Sequence, residues 1–295
     1  MAKTRVFSPK NFQELFLIWN KSSFPEGSGE PVLYAGGSEI IRDQCGVTPK
    51  LPQNIISLDK IEELSKIRRS ERYLEIGGMV KLNQILRLGK IVPEALRKCL
   101  LAIADPEVRN LATIGGNINN SSRKLDISSP MIALDAQYEL KTAQSSRWIA
   151  ASRFSSFSDS SVLEKHELLT RIRVPLEPWT FTWYRKFNNS SSNKSSGAML
   201  FIVKIEKNIL MDIRVIYSGK SILREKNSEK MLASKHLPLN RKDVRTFVDK
   251  WRTYLTDFEG SENPIFSDEE QNFSSELSIM QILNFIETTL MHISD

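Results

Sequence analysis

Cysteine is almost missing from this chain of 295 residues: Cys45 and Cys99 are the only two, and neither has a second cysteine or a histidine nearby. Disulfide frameworks, zinc sites and iron–sulfur clusters need clustered thiolates or imidazoles, so none is supported. Histidine is equally scarce. His166, His236 and His292 are far apart, which points to surface or packing roles rather than metal ligation or general-base work. No apolar run approaches the ~20 residues of a membrane span; one of the longest is Met199–Val203. After Lys3 and Arg5 the text turns polar at Ser8, Lys10, Asn11 and Gln13, with no apolar region of a signal peptide, so a cytoplasmic protein is expected. Serine is plentiful, yet neither Ser121-Ser122 nor the run within 152–161 has the Gly-x-Ser-x-Gly setting of a hydrolase nucleophile. The Gly-x-Gly-x-x-Gly fingerprint and the Walker lysine pattern are missing as well.

The formal charge is +6, but the basic residues are interleaved with acids along the whole chain, so nucleic acid is not an expected partner. The densest basic stretch, Lys66-Ile67-Arg68-Arg69-Ser70-Glu71-Arg72, reads as a solvated turn before a strand.

Hydrophobic residues make up 40% of the chain, enough for a sizeable core, and the length favours two domains. Ser8-Pro9 reads as the capped start of a helix carrying Phe12, Leu15, Phe16 and Trp19. Short strands are expected at residues 31–34, 54–58 and 73–76, and helices at 82–86 and 93–104. Beyond Pro175 the composition changes. Phe181–Tyr184 reads as a strand, 188–197 is an Asn/Ser stretch read as a mobile loop, and Lys207-Asn208 marks a hairpin between two apolar runs. Two amphipathic helices close the chain, one through Val244, Phe247, Trp251 and Leu255, the other through Ile282, Ile286, Leu290 and Ile293. Strands and helices mix without a regular βαβ repeat, so the expected class is α+β, with a domain boundary near residue 176.

Two glycine breaks hold the chemistry: Tyr34-Ala35-Gly36-Gly37-Ser38-Glu39 and Ala112-Thr113-Ile114-Gly115-Gly116-Asn117-Ile118. A diphosphate is well held by main-chain N–H groups, and glycine lets that backbone approach because no Cβ intervenes. Hydroxyls at Ser38 and Thr113 and the amide of Asn117 add donors. Taken singly, a Gly-Gly pair after a strand is an ordinary turn, and Gly77-Gly78 is read as one.

The two segments together resemble a known family. Tyr34 to Ile40 is similar to the first FAD-binding loop of the molybdenum hydroxylase flavoproteins, the xanthine dehydrogenase and carbon monoxide dehydrogenase group. The stretch Arg109-Asn110-Leu111-Ala112-Thr113-Ile114-Gly115-Gly116-Asn117-Ile118 resembles their second loop nearly residue for residue. The connectors, Pro52-Gln53-Asn54-Ile55-Ile56-Ser57-Leu58 and Leu74-Glu75-Ile76-Gly77-Gly78, resemble the family's strands. The match is strong from about Val32 to Asp135 and weaker to Pro175.

The resemblance implies a two-subdomain FAD-binding domain over residues 1–176, with an internal boundary near 55–60. A smaller domain of antiparallel sheet and helices follows over 177–295. FAD would lie in the cleft between the subdomains, roofed by the second domain. The implied cofactor contacts are Leu33, Tyr34, Ala35, Gly36, Gly37, Ser38, Glu39 and Ile40 in the first loop, and Ala112, Thr113, Gly115, Gly116, Asn117 and Asn120 in the second. Asp126, eleven residues after Gly115, stands where the family places an aspartate on the cofactor, and Ile103 where some members place an aromatic against the flavin. Leu169 and Lys186 complete the set. No residue is expected to act on substrate itself, and no metal ligands are implied. The implied role is electron transfer from a partner's iron–sulfur clusters to FAD and on to NAD or another acceptor. The partners would be a molybdopterin-binding large subunit and an iron–sulfur small subunit.

The chain departs from the family where Asn188-Asn189-Ser190-Ser191-Ser192 replaces paired arginines and an aspartate, and where Arg123 replaces a proline. The first departure puts flavin tuning and nucleotide docking in doubt. It keeps open a degenerate, structural or assembly subunit of the same fold, while a stand-alone flavoenzyme would need acid and base residues that the sequence does not offer.

Overall fold

The computed structural model describes residues 4–20, 29–42, 51–120, 127–155, 162–188, 195–219, 221–259 and 273–294. Cys45, Arg123, Asp126 and most of the Asn/Ser stretch lie outside them. The chain forms two compact units. The first comprises Met1–Val92, Ile103–Asn120 and Asp135–Leu176, and the second Pro93–Ala102, Ser121–Leu134 and Glu177–Asp295.

The first unit begins with β1 (Arg5–Phe7), α1 (Phe12–Trp19), β2 (Val32–Tyr34), α2 (Ser38–Arg42) and β3 (Asn54–Ser57). The three strands run parallel in the order β1-β3-β2. This small alternating module differs from the expected absence of βαβ order, because β1 is too short to announce itself. The start of α1 also differs. Asn11, not Ser8, is the cap: its side chain accepts from the Glu14 amide at 2.9 Å while its own backbone stays extended.

Beyond it lies a five-stranded antiparallel sheet, β4 (Ile67–Arg69), β5 (Tyr73–Gly77), β6 (Gln137–Lys141), β7 (Ser146–Ala150) and β8 (Leu168–Pro175), in the order β4-β5-β8-β6-β7. The expected turn at 66–72 contains β4, whose Ile67, Arg68 and Arg69 pair with Ile76, Glu75 and Leu74. Alternation along the strands buries Leu74, Ile76, Tyr138, Leu140, Ile172 and Val174. The opposite face carries Glu75, Glu139, Trp148, Arg171 and Arg173, where Arg173 stacks over Trp148 at 4.1 Å and Tyr73 at 5.3 Å. Short helices α3 (Leu82–Leu86), α5 (Pro106–Leu111), α6 (Ile114–Ile118) and α8 (Ala151–Ser155) complete the unit. One buried cluster joins the two sheets, with Leu15 and Phe16 of α1, Ile56 of β3, and Leu64, Met79 and Leu168 from the larger sheet's side.

The second unit is built on an antiparallel sheet of β9 (Phe181–Asn188), β10 (Ser195–Glu206), β11 (Ile209–Ser218) and β12 (Ile222–Leu223), in the order β12-β11-β10-β9. Lys207 and Asn208 both take positive φ, 50° and 60°, the conformation of a two-residue hairpin loop whose twist suits the strands. Met199, Phe201, Val203, Val215 and Tyr217 share one buried cluster with Phe247 and Trp251 of α10 (Arg241–Glu259) and Ile286 and Leu290 of α11 (Phe273–Ser294). Helix α4 (Glu94–Leu101) ends three residues before the expected Ala104, and Lys98 donates from it to the Thr182 carbonyl at 2.6 Å. Helix α7 (Ser128–Ala133) receives the Arg214 guanidinium on the Ala133 carbonyl, and α9 (Lys226–Leu232) begins at Glu225, whose carboxylate caps it. Among the described residues no helix is long and apolar enough to cross a membrane.

Candidate functional site

Three glycine pairs, far apart in sequence, nest against one another inside the first unit. The innermost is Gly77-Gly78 at the end of β5. The Gly78 amide donates to the Thr170 carbonyl at 2.9 Å, and a Cβ on Gly78 would stand 2.8 Å from the Leu169 carbonyl oxygen. On the next level the Gly115 amide donates to the Gly78 carbonyl at 2.9 Å, and a Cβ there would lie 2.7 Å from that oxygen. Gly77-Gly78 is therefore the seat of the second loop, not the plain turn its sequence suggests. Side chains would wedge these layers apart.

The second loop is closed on itself. Leu82 donates to the Ala112 carbonyl and Ile114 to the Val80 carbonyl, both at 3.0 Å, so the loop is held as a strand-like bridge between Lys81 and Thr113. Thr113 then caps α6, its hydroxyl accepting from the Gly116 amide at 3.1 Å. Asn117 donates its amide to the Thr113 carbonyl at 3.0 Å, and the Asn119 side chain donates to the Gly115 carbonyl at 2.9 Å. The amides of Gly115 and Gly116, expected to face an anion, are thus both engaged by the protein. A Cβ on Gly116 would stand 2.8 Å from the Thr113 hydroxyl oxygen that caps the helix, with the Ala35 Cβ 4.0 Å away.

The first loop rests on the second and is open. A Cβ on Gly36 would fall on the Leu111 carbonyl oxygen, and the Ala112 Cα would be 3.2 Å from it. Gly37 has φ +69°, the left-handed region, and the Tyr34 ring folds over it where a Cβ would project. Neither the Gly36 nor the Gly37 amide has a hydrogen-bond partner among the described residues. Lys81 braces the second loop from outside, its ammonium donating to the Leu111 carbonyl at 3.0 Å. Burial holds the Lys81 ammonium below its ordinary pKa, against the attraction of Asp59.

Beside the stacked glycines opens a cavity of about 340 Å³. Leu33, Ala35, Gly115, Gly116 and Leu169, all implicated from sequence, line it, together with Met79 and Leu58. The rim adds residues that sequence reasoning passed over: Trp19, His166, Glu164 and Glu167. His166, read as a lone surface or packing residue, has φ +58° and lays its ring against Trp19 with centroids 5.3 Å apart. Glu167 is buried and accepts from Arg147 through both oxygens, at 2.8 and 2.9 Å. The hydrogen bond from Arg147 outweighs burial and holds its carboxyl below the ordinary range. No local signal links Trp19 to His166; only the fold places them together. Lys81 had a weak signal, a lone cation between Gly77-Gly78 and an apolar helix.

Other implicated residues fall elsewhere. Ser38, Glu39 and Ile40 form the first turn of α2, and Asn120 follows α6. Ile103 is buried, and the Arg109 guanidinium donates to its carbonyl at 2.7 Å and to that of Ala104, which sits at φ 40°. Lys186 belongs to the second unit, on β9 opposite Ala198. Asp126 lies outside the described residues.

The cradle suits a dinucleotide. It offers the unengaged amides of Gly36 and Gly37 for an anion and an apolar cavity within the size range of small-ligand pockets. The fold and this cradle are those of an FAD-binding component of an oxidoreductase. Residues 2–177 match the FAD binding domain in molybdopterin dehydrogenase, and the chain belongs to that family. The glyceraldehyde dehydrogenase medium chain of Sulfolobus acidocaldarius is 27% identical over 198 residues, covering 66% of this chain and 70% of that one. The nicotinate dehydrogenase FAD-subunit of Eubacterium barkeri is 30% identical over 180 residues, covering 59% of each. The match thus spans less than two thirds of that second relative's length. In structure the chain is similar to carbon monoxide dehydrogenase from Hydrogenophaga pseudoflava, with a TM-score of 0.77, 21% identity, and coverage of 97% of this chain and 95% of that one. It is also similar to quinoline 2-oxidoreductase from Pseudomonas putida 86, with a TM-score of 0.74, 17% identity and 99% coverage of both. FAD is the cofactor of this family, and the α+β architecture expected from sequence is the one observed.

Proposed function

We propose that the chain is the electron-transferring flavoprotein of a molybdenum hydroxylase complex. It would work between the iron–sulfur clusters of a small subunit and a terminal acceptor, NAD or another oxidant, while a molybdopterin-binding large subunit oxidises the substrate. The observation that carries this reading is the nested set of glycine pairs opening onto the apolar cavity. Bound FAD supplies the redox chemistry, and the chain's own residues bind, orient and shield it. The Gly36 and Gly37 amides donate to the diphosphate. Gly115 and Gly116 contribute close backbone approach rather than N–H groups, and Leu33, Met79 and Leu169 supply apolar walls. Residues 1–176 are the proposed FAD-binding region. Asp126, Lys186 and Ile103 keep the roles that family resemblance gives them, on cofactor and ring.

The test is reconstitution. Purified alone, the chain is expected to be yellow and to oxidise neither aldehydes, xanthine nor CO. Substrate-dependent bleaching of its flavin is expected only with the molybdenum and iron–sulfur subunits present. Turnover of an organic substrate by this chain alone would refute the reading. Asp126→Ala is expected to weaken FAD binding by about 1–3 kcal/mol, the scale of a lost charged hydrogen bond, in a flavin titration.

A further inference from the structure

The most basic stretch of the sequence, Lys66 to Arg72, plays no part in the flavin site. β4 carries it along one edge of the five-stranded sheet, where a second cavity of about 190 Å³ opens on the sheet's polar face. Lys66, Arg68, Lys141 and Arg171 line this cavity, with Glu63, Glu75 and Glu139 and the ring of Phe12. The carboxylates that face inward are already satisfied. Glu139 is buried and accepts from Arg171 at 2.6 and 2.7 Å and from the Thr170 hydroxyl at 2.6 Å. Glu75 accepts from Arg173 at 2.7 and 2.9 Å, and Arg171 stands 3.7 Å from its other oxygen. Glu63 is exposed. Lys66, Arg68 and Lys141 form no ion pair among the described residues, and the Lys141 ammonium sits 5.1 Å from the centre of the Phe12 ring.

We propose that this cavity is a phosphoryl-binding site, in which Lys66, Arg68 and Lys141 hold the phosphate and Phe12 packs against the body that carries it. Three like charges around one cavity repel, and a dianion relieves that repulsion more than a monocarboxylate can. Lysine is a compact, rotatable point charge, suited to a phosphoryl group approached from several sides. Inorganic phosphate and a small planar phosphomonoester share this chemistry, and Phe12 separates them, because only the ester has a body to cover the ring.

The test titrates the full chain, as purified with its flavin, with inorganic phosphate and with phenyl phosphate at low ionic strength, followed by phosphorus NMR. Saturable binding of both is expected. Tighter binding of phenyl phosphate supports a monoester as the ligand, and equal binding supports the site with inorganic phosphate as its occupant. The double variant Lys66→Gln/Lys141→Gln is expected to weaken either ligand by more than about tenfold, as loss of two nearby charges implies. Lys90→Gln, an exposed lysine away from the cavity, should leave it unchanged. Flavin-to-protein absorbance is expected to stay constant across the variants, which separates failure of this site from failure of the flavin site. Non-saturable binding, full replacement by chloride at equal ionic strength, or undiminished affinity in the double variant would overturn the proposal.

Discussion

Both loops of the cradle spell a Gly-Gly pair after an apolar approach, and both match the same family. In the first loop the glycine amides are unengaged, and Gly37 takes a left-handed backbone under the Tyr34 ring. In the second the same residue pair donates its amides inward, to the Gly78 carbonyl and the Thr113 hydroxyl. One glycine pair presents donors; the other lets three stretches of main chain stack without side chains between them. Identical text thus serves two physical needs, and only the hydrogen bonds distinguish them.

Substitutions can break that contrast. The largest effect is expected from Gly115→Ala, because its Cβ meets the Gly78 main chain, which cannot rotate away. Overpacking of this kind costs about 1–3 kcal/mol, so the melting temperature should fall, with flavin lost only as a consequence. Equal melting temperatures for variant and parent would remove the nesting argument. Gly37→Ala should cost somewhat less in stability, about 1–2 kcal/mol for a left-handed alanine, yet impair flavin retention directly. Its signature is a reduced flavin-to-protein ratio at temperatures where circular dichroism still reports a folded chain. Thr113→Ala sharpens the contrast further. Losing the cap should cost roughly 0.5–2 kcal/mol by denaturant unfolding, and Thr113→Ser should restore most of it. The smallest effect concerns the cavity rim. Glu167 has its folded pKa lowered, so its contribution is present above the ordinary carboxyl value of 4.5 and is lost as pH falls through the folded value. Glu167→Gln should therefore lose less stability than the parent as pH is taken from neutral to well below 4.5, and parallel urea midpoints for the two proteins across that whole range would contradict it.

Long apolar periodicities were legible. The closing helices α10 and α11, the hairpin at Lys207-Asn208 and the strands β3 and β5 all follow from pattern, because burial on one face dictates every second or every third to fourth residue. The short strands β1 and β4 were not. Arg5-Val6-Phe7 and Ile67-Arg68-Arg69 have no alternation long enough to read, and each is a strand only because a partner edge awaits it. The cap at Asn11 was missed for a related reason: Ser8-Pro9 offers the same local chemistry, and the chain's packing chooses between them. Within the candidate site, the loops were visible as glycine breaks. The Trp19–His166 wall and the Gly77-Gly78 seat were hidden, since neither depends on sequence neighbours. Arg109, part of the second loop's matching text, proves to hold the turn at Ile103 and Ala104.

The order β4-β5-β8-β6-β7 has a consequence for how the protein is made. Its central strand, β8, is the last of the five to leave the ribosome. Until it does, β5 and β6 each carry a bare edge, and Gly78 has no Thr170 carbonyl to receive its amide. Open edges of that kind invite pairing with other chains. The backbone also passes five times between the two units, so neither one is a continuous stretch of translated chain. A nascent polypeptide cannot finish the first unit before residue 176 emerges, and the glycine cradle, although most of its residues are synthesised early, is among the later structures to close.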